Sequence, residues 1–84
     1  MIEVVFYENV LKYLKKLEKQ TQIQILQTIR NFCLDPGSAD LKKLKGRKNE
    51  WRIRSGDYRI LFEWQNSKMR ILVIKIGHRK EIYE

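Results

Sequence analysis

Polar and apolar positions follow several rhythms along this chain, and each rhythm predicts an element. Ile2-Glu-Val-Val-Phe-Tyr7 is dense in β-branched and aromatic residues and reads as a first strand, buried on most of its surface. Asn9 stands as a helix cap after it. Leu11, Leu14 and Leu17 then recur at three-residue spacing with Lys12, Lys15, Lys16 and Lys19 between and after them, which predicts an amphipathic helix of about three turns. Thr21 followed by Gln24 has the form of a capping box and restarts the chain as a second helix, with an apolar stripe of Ile25, Leu26, Ile29, Phe32 and Cys33. Asp35-Pro36-Gly37 ends that helix.

The segment from Ser38 to Glu50 has few apolar residues. Two of them, Leu41 and Leu44, stand at helical spacing, so it reads as a basic connector with one helical turn. Three strand-like runs follow, Trp51 to Ser55, Tyr58 to Trp64 and Met69 to Ile76, separated by the turn signals Ser55-Gly-Asp57 and Gln65-Asn-Ser67. They predict an antiparallel meander, and the residues from His78 onward close the chain as loop or frayed turn. The expected class is α+β, in the order β-α-α-β-β-β: one domain over residues 1–84, with two antiparallel helices packed on a four-stranded, mainly antiparallel sheet. Helices on one face leave the other face for function.

Strand periodicity sorts the side chains between those faces. Trp51, Ile53 and Ser55 share one side while Arg52 and Arg54 share the other, and Tyr58, Ile60, Phe62 and Trp64 form a core face opposite Asp57, Arg59, Leu61 and Glu63. A short hairpin brings Arg59 close to Arg52 or Arg54, and Arg79 stands just past the last strand beside His78. Cations gathered in this way cost energy unless an anion sits among them. The ordinary alternative is a solvated basic face, with Arg59 merely paired to Glu63 or Asp57. Trp51, Tyr58, Phe62 and Trp64 read as core, and Cys33 as a buried helix residue.

Charge sharpens this picture. Eighteen Lys+Arg against ten Asp+Glu give a net charge of +8, which points to nucleic acid, an anionic membrane or an acidic protein as partner. Residues 1–40 carry five basic and five acidic side chains, so the whole excess lies in the second half. There, Lys42, Lys43, Lys45, Arg47 and Lys48 form a diffuse basic cluster suited to an RNA backbone. One cysteine excludes an internal disulfide, and one His with one Cys falls short of an ordinary zinc site, so neither metal nor cofactor is expected. Met-Ile-Glu-Val lacks the basic start of a signal peptide and no apolar run is long enough to span a membrane; a cytoplasmic protein is the expectation.

The run Trp51-Arg-Ile-Arg-Ser-Gly-Asp-Tyr-Arg-Ile-Leu-Phe62, followed by Ile76-Gly-His-Arg-Lys-Glu-Ile-Tyr83, resembles the RelE family of toxins, within the wider RelE/ParE superfamily. The resemblance covers nearly the whole chain. It implies an mRNA interferase of a type II toxin–antitoxin system: an endoribonuclease that acts in the ribosomal A site through attack of a ribose 2′-OH on the adjacent phosphate. It also implies a cognate RelB-like antitoxin, an acidic or amphipathic segment that lies across the positive surface or adds to a sheet edge. By the same resemblance Arg59 and Arg79 hold the phosphate, Arg52 and Arg54 occupy positions of base, acid or orienting groups, and Tyr83 stacks on or activates the nucleotide. Arginine is a poor proton donor at neutral pH, so His78 becomes a candidate acid. Two other readings stay open, a non-enzymatic ParE-like inhibitor of DNA gyrase and a non-toxic basic RNA-binding module.

Overall fold

A computed structural model describes residues 2–46 and 48–82. Two helices pack on one face of a five-stranded mixed sheet. The elements are β1 (Glu3–Phe6), α1 (Glu8–Lys15), α2 (Lys19–Leu34), β2 (Leu41–Lys43), β3 (Glu50–Ser55), β4 (Tyr58–Gln65) and β5 (Arg70–His78). The sheet order is β1-β5-β4-β3-β2, with β1 parallel to β5 and every other pair antiparallel. The α+β class and the three-strand meander therefore hold, and the strand count rises from four to five.

The additional strand explains why it escaped the pattern. Leu41 and Leu44 are three apart, which imitates a helix, but in extended chain an odd spacing sends two side chains to opposite faces. Leu41 packs against the helix-side core, whereas Leu44 belongs to a second cluster on the other side. Lys42 and Lys43 alternate likewise: Lys42 pairs in register with Arg52, and the amine of Lys43 lies 5.8 Å from the ring centroid of Trp51. A cation over an indole face is worth about 0.5–1 kcal/mol at an exposed site.

The helix starts also differ from expectation. Helix α1 begins at Glu8 with Tyr7 at the cap, so Asn9 lies within it, and eight residues make about two turns. Helix α2 begins at Lys19 with Glu18 at the cap; Thr21 is a helical residue, and the Gln22 side chain instead donates to the Leu17 carbonyl at 2.8 Å. That bond ties the α1–α2 connection to the first turn of α2. The stop at Asp35-Pro36-Gly37 falls where the sequence places it, with a short 3-10 turn over Pro36–Ser38.

The main core lies between α2 and the sheet. Ile25, Phe32, Ile53, Ile60, Phe62, Ile71 and Val73 are fully buried. Phe32 meets Phe62 and Trp64, each at 5.2 Å between ring centroids, the second edge-to-face. Val73 and Ile76 both point into this core although three residues apart, because a bulge shifts the β4–β5 register between Leu61 and Phe62. Gly56, at φ +58°, opens the two-residue β3–β4 turn, and the Gln24 amide from α2 reaches to 2.5 Å of where a Cβ would stand, so α2 closes directly over this turn. Thr28 and Ser55 share a hydroxyl hydrogen bond of 2.7 Å beside it. The hairpin that carries the candidate arginines is thus fixed to the core from behind.

Candidate nucleic-acid interface

On the face away from the helices, cross-strand register sets out rows of side chains. Arg54 lies directly opposite Arg59, and Arg59 lies opposite Gly77 on the next strand. Like charges placed opposite one another destabilise a sheet, so this row carries a cost that an anion would relieve. The Nη1 of Arg59 donates to the carbonyls of Gly56 and Tyr58, both at 3.1 Å, which draws its guanidinium toward the hairpin turn. Arg79 comes to the same turn from the far side: its N–H donates to the Asp57 carbonyl at 2.7 Å, and its Nε lies 3.7 Å from the Asp57 carboxylate. Arg54 leans instead toward Asp40, with Nε 3.5 Å from the carboxylate. These ion pairs are more than half exposed, of a kind worth about 0–1 kcal/mol, so a phosphate can replace the carboxylates at small cost.

The hairpin turn therefore gathers the side chains of Arg59 and Arg79, with Arg54 opposite Arg59 in the ladder but turned toward Asp40. Expectation and structure part at Arg52. Its row runs Lys42, Arg52, Leu61, Lys75, on the intended face, but Arg52 is only 6% exposed. The reason is a second small core on that face, formed by Leu44, Leu61 and Ile82 with Ile74 packed against it. Residues distant in sequence cover the sheet here, so Arg52 forms part of the wall beside the exposed Arg54 and Arg79 and the half-buried Arg59.

His78 does not join the arginines either. It is the last residue of β5, not the start of a loose tail, and its register partner is Tyr58, on the helix side. Its ring stands edge-to-face on Tyr58 at 5.4 Å, and its Nδ1 accepts the N–H of Lys80 at 3.2 Å. With Tyr58, that contact keeps the ring on the helix side, away from Arg59. Tyr83 and Arg47 lie outside the described residues. Lys42, Lys43, Lys45 and Lys48 are exposed on β2 and the loop after it, which runs from beside Arg52 toward the Glu50 end of β3, away from the hairpin turn. At that end of β3 and β4, Glu50 is the register partner of Glu63, so acidic and basic side chains are mixed there.

The sequence reading missed the chain segment that closes this face. After His78 the backbone turns back, with the N–H groups of Glu81 and Ile82 donating to the His78 carbonyl at 2.7 and 3.2 Å. The Glu81 carboxylate accepts the His78 N–H at 3.1 Å and the Tyr13 hydroxyl from α1 at 3.2 Å. Burial, and after it the neighbouring Glu81 charge, pushes the Tyr13 phenol above its ordinary value of 10.0. The available signal was Gly77, a glycine inside a strand, which marks close approach by another part of the chain. Among the described residues no group of three His, Cys, Asp or Glu side chains is placed to hold a metal, and no helix is long and apolar enough to cross a membrane.

A basic hairpin end on a sheet backed by two helices defines a class, the small toxins of type II toxin–antitoxin systems. A family profile described as the ParE toxin of the type II toxin–antitoxin system parDE matches residues 4–83. Toxin RelE3 of Methanocaldococcus jannaschii is 32% identical, over 99% of this chain and 97% of that toxin. Among solved structures, the RelB-RelE antitoxin-toxin complex from Methanococcus jannaschii matches at TM-score 0.76 and 30% identity, with 94% of each chain covered. The archaeal RelE-RelB complex from Pyrococcus horikoshii shares the fold at TM-score 0.80, over 96% of this chain and 98% of that one. The chain belongs to the RelE family of type II toxins, and the ParE toxin profile matches nearly all of it.

Proposed function

We propose that this toxin is a ribosome-dependent endoribonuclease that cuts mRNA in the A site and so arrests translation. The observation that carries the reading is the meeting of Arg59 and Arg79 at one hairpin turn, with Arg54 opposite Arg59 in the ladder. In the proposed reaction the 2′-oxygen gives up its proton and bonds to the adjacent phosphorus to form a 2′,3′-cyclic phosphate, the bond from phosphorus to the 5′-oxygen breaks and that oxygen takes a proton from water, and charge builds on the non-bridging oxygens on the way. Guanidinium groups suit that charge, because each presents planar paired donors at the spacing of two phosphate oxygens. Arg59 and Arg79 are assigned to those oxygens and Arg54 to the same or the neighbouring phosphate. Arg52 acts from the wall, where it orients the others. Tyr83 is assigned to the nucleotide, to stack on it or to move the 2′-proton, and His78 is left out of the reaction because its ring lies on the other face. The exposed lysines of β2 and its loop hold the message or ribosomal RNA by charge alone.

A RelB-like antitoxin is the proposed partner, and the cytoplasm the proposed compartment. The relatives of known structure include toxin-antitoxin complexes, and this chain offers such a peptide two features besides its positive face. One is the outer edge of β1. The other is a shallow groove of about 300 Å3 beside it, lined by Ile2, Val4, Phe6, Leu26, Ile29 and Cys33 among others. An amphipathic segment would cover the apolar groove and neutralise the arginines at the same time.

The name ParE on the matching profile favours a second reading, inhibition of DNA gyrase without catalysis. Labelled mRNA in a translation reaction separates the two. Fragments that form only with ribosomes present support the nuclease; intact message together with blocked DNA supercoiling supports the gyrase inhibitor.

A further inference from the structure

The segment after β5 has a feature that its basic sequence hides. Ile82 is only 6% exposed, although Arg79, Lys80 and Glu81 before it are all exposed. It packs with Leu44 and Leu61, directly above Gly77. A Cβ on Gly77 would stand 2.8 Å from Cγ1 and 2.9 Å from Cδ1 of Ile82, closer than real Cβ contacts come. The strand backbone at Gly77 does not need a glycine for its own conformation, because its φ is not positive. What needs the missing side chain is the isoleucine above it.

Between Gly77 and Ile82 lies Arg79. The His78–Ile82 turn is held at one end by the Glu81 carboxylate on the His78 N–H and Tyr13, and by two backbone bonds onto the His78 carbonyl. At the other end it is held by Ile82 in its socket. The Arg79 N–H on the Asp57 carbonyl ties its backbone to the hairpin at 2.7 Å, and the rest of the turn is held by exposed or single-turn hydrogen bonds. Burying Ile82 supplies an apolar contact after Arg79, on the order of 1.5–3 kcal/mol for a full side chain.

We propose that Gly77 and Ile82 are a socket and plug that position Arg79: the isoleucine, seated over the bare glycine beside Arg59, holds the turn so that the Arg79 guanidinium meets the hairpin. Ile82 never touches the phosphate; it acts through Arg79. The role rests on the nuclease reading, and the test keeps the two apart. Two readouts are taken on the full chain: single-turnover cleavage of mRNA on programmed ribosomes, and amide exchange of Glu81 and Ile82.

Ile82→Ala and Gly77→Ala should both lose protection at those amides, and the cleavage rate should fall about tenfold to a hundredfold with half-saturation unchanged, as expected for misplacement of a group that acts in the transition state. Ile82→Leu, still apolar but flexible, should recover most of the rate. Arg79→Ala combined with Ile82→Ala should be no slower than Arg79→Ala alone, since one acts through the other. Additive losses in that double variant, or full cleavage by Ile82→Ala, overturn the positioning role while the nuclease stands. Unaltered exchange in Gly77→Ala overturns the socket. Wild-type protein that leaves the message whole defeats the nuclease reading itself, and the positioning role with it.

Discussion

The two faces of this sheet are built to opposite rules. Behind it, Ile53, Ile60, Phe62, Ile71 and Val73 are fully buried against α2, and two aromatic rings pack around Phe32. In front, at the hairpin end, two arginines stand directly opposite each other and a third is held only by an exposed carboxylate. One face gains stability from every residue; the other keeps a repulsive pair where apolar or neutral residues would fold better. The difference teaches that the two faces carry their charge unequally: like charges across a ladder cost stability, and at the hairpin Asp40 and backbone carbonyls offset only part of that cost.

The sharpest way to break that contrast is to exchange the effects. Phe62→Ala should cost about 3–5 kcal/mol of stability, read as a lower denaturant midpoint, because its ring is fully buried among Phe32 and Trp64. Arg59→Ala should leave that midpoint nearly unaltered and cost about 2.7–4 kcal/mol in cleavage rate, the scale of one lost charge-stabilising contact. Should Arg59→Ala unfold the protein, its face is structural and the contrast is false. Binding gives a smaller effect. A non-cleavable deoxyribonucleotide oligomer at about 100 times its Kd should raise wild-type stability by roughly 2.7 kcal/mol, and Arg59→Ala should lose most of that gain.

The back face was legible because its signal repeats. Tyr58, Ile60, Phe62 and Trp64 are four alternate positions of one strand, and no other element produces that period. Three features lay beyond a local pattern. Strand β2 is three residues long, and its Leu41 and Leu44 imitate a helix while serving two different cores. The side on which Val73 and Ile76 fall depends on a bulge set by the partner strand. Arg52 was assigned to the correct face, but alternation shows which way a side chain points and not what comes to cover it; Ile82 arrives from the far end of the chain. His78 was misplaced for a related reason: the strand runs two residues past Ile76, and only its pairing with Tyr58 shows its side.

The smallest expected effect concerns Tyr13, which joins the two faces by reaching from α1 to Glu81. Its phenol is raised in the folded chain, so the unfolded chain loses that proton first. The contribution is complete below the ordinary value of 10.0 and declines as pH rises through and above it, when the folded phenolate also comes to face Glu81. Amide exchange at Glu81 should accelerate in that alkaline window in the wild type. Tyr13→Phe should show faster exchange at neutral pH already and a weaker dependence above pH 10, with overall stability altered by about 1 kcal/mol or less.

Arg59 and Arg79 at the hairpin turn are proposed to share one phosphate, with Arg54 on the same or the neighbouring one, and their own NMR signals report on it most directly. Titration of the isotope-labelled protein with a 2′-deoxy oligonucleotide should move the Nε–H resonances of Arg54, Arg59 and Arg79 together along a single binding curve, and Arg59→Ala should weaken the response of the other two. Separate curves for the three, or shifts confined to Lys42, Lys43, Lys45 and Lys48, would contradict a common anion site at the hairpin and reduce this face to a diffuse basic surface.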